Sequence, residues 1–405
     1  MDLLRYMTSN ILRRPLRALF VVVAGFLSAT VLVFSFALGA RTTEHVRSDT
    51  IAKWTGHLWI SKADDFEFKD ERLASYRNQA GAVRSYLEHS PDTSLLVPWY
   101  TGVCEIQAGT SRQYLMFNAT DFEKDQPLVS RTELAAGRVP GASDEYGLLI
   151  TTVLAEKYGL RVGSSITVFI PSAFGARNAM DFIVTGIERA SAPWYDDHII
   201  IRAADYVTMT ELGDAFPFYK AYVKDERAIP KMVADLKTVV KDFRVKGYRD
   251  DDFVRFLLSL GTTNILMFGF MAMIIFLALL IGIRSVILTN IFDRRDEIGT
   301  LRALGFPRGT VRNLFFGESL AALLVGYLLG VGAVALVDVW FNATIVRPPL
   351  LMLQYMFGMT RMAITVNIES VTVPFLLLFI VLFLTTFRTV GRETEKHAVV
   401  QMADR

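Results

Sequence analysis

The 405-residue sequence holds a single cysteine, Cys104. One thiol excludes an intrachain disulfide and any metal site built from clustered cysteines, and Cys104 reads as a small core residue of a strand. No Gly-Lys-Ser or Gly-Lys-Thr occurs, so there is no glycine-rich backbone cradle for nucleotide phosphates. His45, His57, His89, His198 and His397 are scattered, with no His-Glu-x-x-His and no Gly-x-Ser-x-Gly elbow, which leaves no catalytic constellation. Asp196-Asp197-His198 alone joins acids to a histidine, and it reads as the cap of a loop before the strand Ile199-Ile200-Ile201. The net charge of +2 gives no reason to assign a nucleic-acid partner.

Apolar residues, by contrast, are abundant. A hydrophobic fraction of 52% and a mean hydropathy of +0.33 are too high for an ordinary soluble protein, while 21% charged residues are too many for a chain buried in lipid throughout. That mixture predicts separate membrane and water-exposed blocks. About 20 apolar residues cover the hydrocarbon of a bilayer, and four stretches qualify. They predict transmembrane helices at 18–40, 256–283, 319–337 and 370–387, each bounded by charge. The first is longer than the core of a cleavable signal, despite the small residues Ala37-Leu38-Gly39. The shorter run from Pro348 to Thr360 reads as a loop lying against the bilayer surface.

Basic residues near span ends set orientation. Arg5, Arg13, Arg14 and Arg17 precede the first span; Arg284, Arg294, Arg295, Arg302, Arg308 and Arg312 follow the second; Arg388, Arg392 and Lys396 follow the fourth. Both termini and the 284–318 loop are therefore expected in the cytoplasm. Residues 41–255 and the short 338–369 loop are expected outside. Leu3, Leu4, Met7 and Ile11 share one helical face, so 1–17 reads as an interfacial helix. The 388–405 tail is cytoplasmic.

Within 41–255 the patterns alternate between periods. Thr42–Thr55 lacks glycine and proline and extends the first span as a stalk. Helical spacing marks 70–89, 152–158 and 229–243, and strands are read at 56–61, 99–107, 114–118, 148–150, 165–170 and 181–187. The fold class is thus an α-helical membrane protein with four transmembrane helices and a large α+β domain of about two lobes between the first and second. Asp250-Asp251-Asp252 suits the start of the second span, since carboxylates favour the positive end of a helix dipole.

The most informative stretch runs from Asp293 to Phe306. Mixed charge leads into Ile298, Leu301, Ala303 and Leu304 on a short helix that stops at Gly305 before Pro307. Exposed apolar residues on such a helix need a partner surface, so the segment reads as a docking element for a cytoplasmic protein. The pattern Arg-Arg-x-Glu-Ile-Gly-x-Leu-Arg-Ala-Leu-Gly, followed by Glu318 at the head of a span carrying Gly326 and Gly330, resembles the FtsX-like ABC transporter permease family, with its MacB, LolC and LolE types. Gly147–Ile150, Leu154–Leu160, Val162–Ser164 and Phe182–Ile187 are similar to that family's periplasmic core domain. Thr55–Ile60 resembles the start of that domain in lipoprotein-release permeases.

The resemblance implies a permease that docks on an ABC ATPase dimer through Arg295, Glu297, Ile298, Gly299, Leu301, Arg302, Leu304 and Gly305. ATP and Mg would be bound by that separate subunit and no cofactor by this chain. It implies a bacterial inner membrane location and pairing with a second copy or a related permease. Glu318 reads as structural. The spans hold no acid or base between their boundary charges, which argues against an ion-coupled carrier and fits mechanical transmission of ATPase motion. Phe34, Phe36, Leu38, Leu257, Leu258 and Leu260, at the upper ends of the first two spans, are candidates to face membrane lipid or a lipoprotein cargo. The family's carrier-docking hairpin follows a Pro-Ser segment. Pro171-Ser172-Ala173 is present, but 174–180 looks short for a hook, so a periplasmic carrier or adaptor has no assigned seat. Lipoprotein release, MacB-like efflux and regulation of a cell-wall hydrolase are the three functions this pattern accommodates.

Overall fold

The computed structural model describes residues 15–62, 70–172, 176–211, 219–240, 243–293, 299–300, 304–344, 346–348 and 351–384. Contacts divide the chain into two compact units. One comprises Glu44–Gly261 with Arg347–Arg361, and the other Met1–Thr43, Thr262–Val346 and Met362–Arg405.

In chain order the elements are α1 (Pro15–Thr50), a π-helical turn (Ile51–Thr55), β1 (Leu58–Lys62), α2 (Asp70–His89), β2 (Thr93–Ala108), β3 (Ser111–Thr120), β4 (Glu133–Gly137), β5 (Gly147–Thr151) and α3 (Thr152–Tyr158). Then follow β6 (Ser165–Pro171), β7 (Arg177–Arg189), β8 (His198–Arg202), α4 (Ala203–Thr210), β9 (Tyr219–Val223), α5 (Ile229–Val239) and β10 (Phe243–Gly247). The chain closes with α6 (Asp252–Asp293), α7 (Arg308–Ala343), α8 (Leu351–Phe357) and α9 (Ile368–Leu384).

The inserted α+β domain is organised by one long strand. The first half of β2 pairs with β9 in the order β10-β1-β9-β2, and its second half, from Trp99, pairs with β3. From there pairing returns on itself: β2-β3-β8-β5-β7-β6 and back to β2, a closed six-stranded barrel with β4 added on β7. Closure leaves β2, β3, β8, β5 and β6 without a bare edge. The two expected lobes are these two parts of a single strand ladder.

Alternation explains the packing. Leu148 and Ile150 on β5 enter the main core with Cys104, Ile106, Phe182 and Ile199, whereas Leu149 between them packs outward with Trp99, Phe122 and Ile200. Successive side chains of a strand point to opposite faces, so a strand covered on both sides reads as an unbroken apolar run. Each such fully buried large side chain contributes about 1.5–3 kcal/mol. In the other lobe α2 and α5 cover the sheet through Val83, Leu87, Met232 and Leu236, and Tyr86 Oη donates to Asp235 at 2.9 Å. The helix expected over 229–243 stops at Val239, because Phe243 and Val245 are the inward residues of a strand paired with β1.

In the second unit, α1 and α7 meet through glycine. A Cβ on Gly326 would collide with the carbonyl of Val22 and lie 2.9 Å from Phe26 N, and one on Gly330 would lie 2.6 Å from Ala29 Cβ and 2.8 Å from Phe26 O. Two glycines four apart let the backbones touch, the small-residue contact typical of helices in lipid. The helix α9 is capped by its own start, with Ser370 N donating to Asn367 Oδ1 at 2.8 Å and Asn367 N to Ser370 Oγ at 3.0 Å, and it meets α7 through Phe316, Phe379 and Phe383. The segments Leu19–Thr55 and Phe316–Ala343 are long and apolar enough to cross a membrane. The 42 residues of α6 would span about 63 Å if straight, about twice the hydrocarbon thickness.

Candidate functional site

The inserted domain concentrates its buried charge where α1 enters it. The helix ends in the π-helical turn Ile51–Thr55, and Gly56 N closes the turn on Ile51 O at 2.8 Å. Gly56 sits at φ +64°, against the backbone of Ala221, a place that favours glycine. Wider turns interrupt the regular ladder, and here the carbonyl of Ala52 accepts from Lys220 Nζ at 2.8 Å and from Tyr222 Oη at 3.3 Å.

Lys220 also pairs with Asp125 at 2.6 Å and stands 3.7 Å from the centroid of the Trp99 ring. Asp125 takes further hydrogen bonds from Thr120 Oγ1 at 2.9 Å, Tyr222 Oη at 3.3 Å and Leu128 N at 3.4 Å. Both charged side chains are fully buried. A buried pair persists only when the remaining lone pairs and protons are satisfied, and these are. Burial pulls the Lys220 ammonium down to about 8, against the opposing attraction of Asp125.

A second cluster holds the other side of the turn. Lys53 Nζ pairs with Glu188 Oε2 at 3.2 Å, and His198 Nε2 lies 3.3 Å from Glu188 Oε1, all three almost wholly buried. Burial alone would raise the Glu188 carboxyl, but Lys53 and His198 outweigh it and hold the group at about 2. His198, at the first position of β8, closes the loop before the strand as expected, its Nδ1 facing the carbonyl of Tyr195, while its Nε2 reaches Glu188. One turn earlier, Arg47 pairs with Glu226, which also receives Tyr248 Oη at 2.9 Å and Arg249 at 3.3 Å. The start of α6 lies beside this stalk. Asp251 Oδ1 caps α6 by accepting from Phe253 N at 3.0 Å and Val254 N at 3.1 Å, and the Phe253 ring lies 5.6 Å from Trp54.

The C-terminal end of the segment expected to lie as a loop on the bilayer surface packs against this site. The segment contains α8 and ends with Thr360 Oγ1 donating to Ala190 O at 2.6 Å and Thr360 N to Ser191 O at 3.2 Å. Met359 is buried, and a Cβ on Gly358 would lie 2.7 Å from Val46 and 2.9 Å from Trp194. On α8 itself Met352 and Tyr355 stay exposed.

Other expected residues fall as follows. Cys104 is buried in β2, where burial pushes its thiol up to about 12. Arg295, Glu297, Ile298, Leu301 and Arg302 lie outside the described residues. Gly299 is helical, Leu304 N closes on Thr300 O at 2.9 Å, Gly305 has φ +87° and Leu304 is 70% exposed. Glu318 is buried on α7. Of the candidate cargo-facing residues, Leu38 and Leu257 are buried, Phe34, Phe36 and Leu258 are half-buried, and the side chain of Leu260 lies outside the description. Residues 177–180, read as part of a loop, belong to β7. Its hairpin with β6 closes within a few residues, with Ser172 N on Ala176 O at 2.6 Å. Among the described residues no cluster of acids, histidine and cysteine could hold a metal ion.

Residues 268–392 match the family described as FtsX-like permease C-terminal. An ABC transporter permease of Methanocaldococcus jannaschii is 22% identical over 350 residues, 82% of this chain and 83% of that protein. The macrolide export ATP-binding/permease protein MacB of Neisseria gonorrhoeae is 36% identical over 62 residues, which is 15% of this chain and only 10% of that protein. The periplasmic region of MacB from Actinobacillus actinomycetemcomitans aligns over 47% of this chain and 87% of that one, at 11% identity and a TM-score of 0.33. By these matches the chain is similar to ABC transporter permeases, and its residues 268–392 carry the pattern of the FtsX-like permease C-terminal family.

Proposed function

We propose that this permease crosses the inner membrane four times and carries the motion of a separate ATPase dimer into the inserted domain on the outer side. The observation that carries this reading is the anchoring of the first stalk. Lys220 donates to Ala52 O on one side of a helical turn and Lys53 pairs with Glu188 on the other, and displacing the turn would pull a fully desolvated ion pair apart and leave both its charges unpaired. The input end is the 293–305 loop, whose exposed Leu304 would seat in a groove of the ATPase.

The cargo we assign is a lipid-anchored protein extracted from the membrane, on the resemblance of Thr55–Ile60 to lipoprotein-release permeases. Efflux with a periplasmic adaptor is the second reading, favoured by the sequence match to MacB. Purification of the native complex decides between them. Acylated protein retained without nucleotide and released by ATP supports the first. A co-purifying adaptor and outer-membrane duct with no acylated protein supports the second. Leu301→Asp and Leu304→Asp are expected to lose the ATPase on purification, and unchanged co-purification and ATP turnover in both would refute the docking assignment.

A further inference from the structure

Ser191 is bonded from two directions. Its hydroxyl donates to Asp49 on the first stalk, and its carbonyl accepts from His45 Nε2 of the same stalk at 3.3 Å. The same carbonyl accepts from the backbone N–H of Thr360 at 3.2 Å, and the neighbouring Ala190 carbonyl takes the Thr360 hydroxyl at 2.6 Å. Two residues before Thr360, Gly358 sits at φ +63° with its Cα hydrogens against Val46 of the stalk and the Trp194 ring. The strip 190–194 is thus sandwiched between the stalk and the segment that joins α7 to α9.

We infer that Ser191 is a positioning residue for transmission: it makes the 347–361 segment move with the first stalk, so that displacement of α7 and α9 reaches the inserted domain at the point where α1 delivers its own. This rests on the mechanical reading above, and it gives α7 and α9 a share in the output. The chemistry suits a rigid link. Hydrogen bonds weaken steeply outside a narrow range of distance and angle. A slide of about one ångström would therefore break the Thr360 bonds together, not stretch them one by one.

The test is hydrogen exchange on the full complex purified with its ATPase, free of nucleotide and trapped with ADP and vanadate. In the unaltered chain, exchange is expected to change at 44–55, 190–196 and 351–361. Thr360→Val removes only the hydroxyl bond; Gly358→Leu drives a side chain into Val46 and Trp194. In both variants 351–361 should keep its response and ATP turnover should persist, while the response at 190–196 falls by about threefold or more. A full response at 190–196 in both variants overturns the inference, as does an unaltered chain that responds at 190–196 and not at 351–361. Absence of any nucleotide response at 44–55 in the unaltered complex contradicts the proposed function itself.

Discussion

The two stretches of α1 are held by opposite chemistry. Around Val22–Thr30 the helix lies against Gly326 and Gly330 with backbone touching backbone. Around Asp49–Thr55 it is held by Lys220 and Tyr222 on the Ala52 carbonyl, by Glu188 on Lys53 and by the Ser191 hydroxyl on Asp49. Close apolar contact between helices gains from proximity and tolerates a small slide, because dispersion is not directional. The ionic grip tolerates none. One contact lets a helix shift, and the other makes the domain follow it.

The sharpest way to break that contrast is Lys220→Met, which leaves Asp125 buried without its counter-ion. A loss of about 3–5 kcal/mol is expected, measured by urea unfolding of the whole chain in detergent. The double change Lys220→Met/Asp125→Leu should recover most of it. The next effect is on the order of 3 kcal/mol and comes from acid. Glu188 is held near 2, below its ordinary value of 4.5. The unfolded chain therefore takes up the proton first, so its contribution is fully present above pH 4.5 and is lost as pH falls toward 2. Glu188→Gln should flatten that acid limb.

Gly326→Leu, at the other contact, should cost about 1–3 kcal/mol by forcing α1 and α7 apart. Gly332→Leu, where an added Cβ meets nothing within 4 Å, should leave the thermal midpoint nearly unchanged. Smallest is the exposed Arg84–Glu88 pair at 2.8 Å: Glu88→Gln should cost under about 0.5 kcal/mol. An equal penalty for Glu88→Gln and Lys220→Met would remove the distinction between buried and surface charge on which the comparison rests.

Much of this fold is legible in the sequence because it follows local periodicity. The helix at 70–89 and the short helix at 152–158 sit where apolar spacing puts them, and α1 continues past Thr42 because nothing there breaks a helix. The strands β4 and β9 escape because each is brief and lacks a clean alternation. The anchor escapes for a different reason. Lys53 and Lys220 each stand alone in an apolar run, which is the local trace of a buried charge, but their partners lie 135 and 95 residues away in the sequence. Only barrel closure brings Glu188 and Asp125 to them. The packing of Met359 and Thr360 onto the domain is hidden similarly, since composition does not say which apolar residues of a loop meet protein. The docking motif, by contrast, is a linear pattern and is readable at once.

In the proposed mechanism the first stalk and the inserted barrel move as one body. Spin labels at Glu44→Cys and Tyr114→Cys, both exposed, report on that body directly, and the buried Cys104, its thiol pushed up to about 12, should stay unlabelled. A second pair, Tyr114→Cys with Leu336→Cys on α7, reports across the two units. Between the nucleotide-free and vanadate-trapped complex, the Glu44–Tyr114 distance should remain single and unchanged while the Tyr114–Leu336 distance shifts. A Glu44–Tyr114 distance that broadens or moves with nucleotide would show that stalk and barrel move separately.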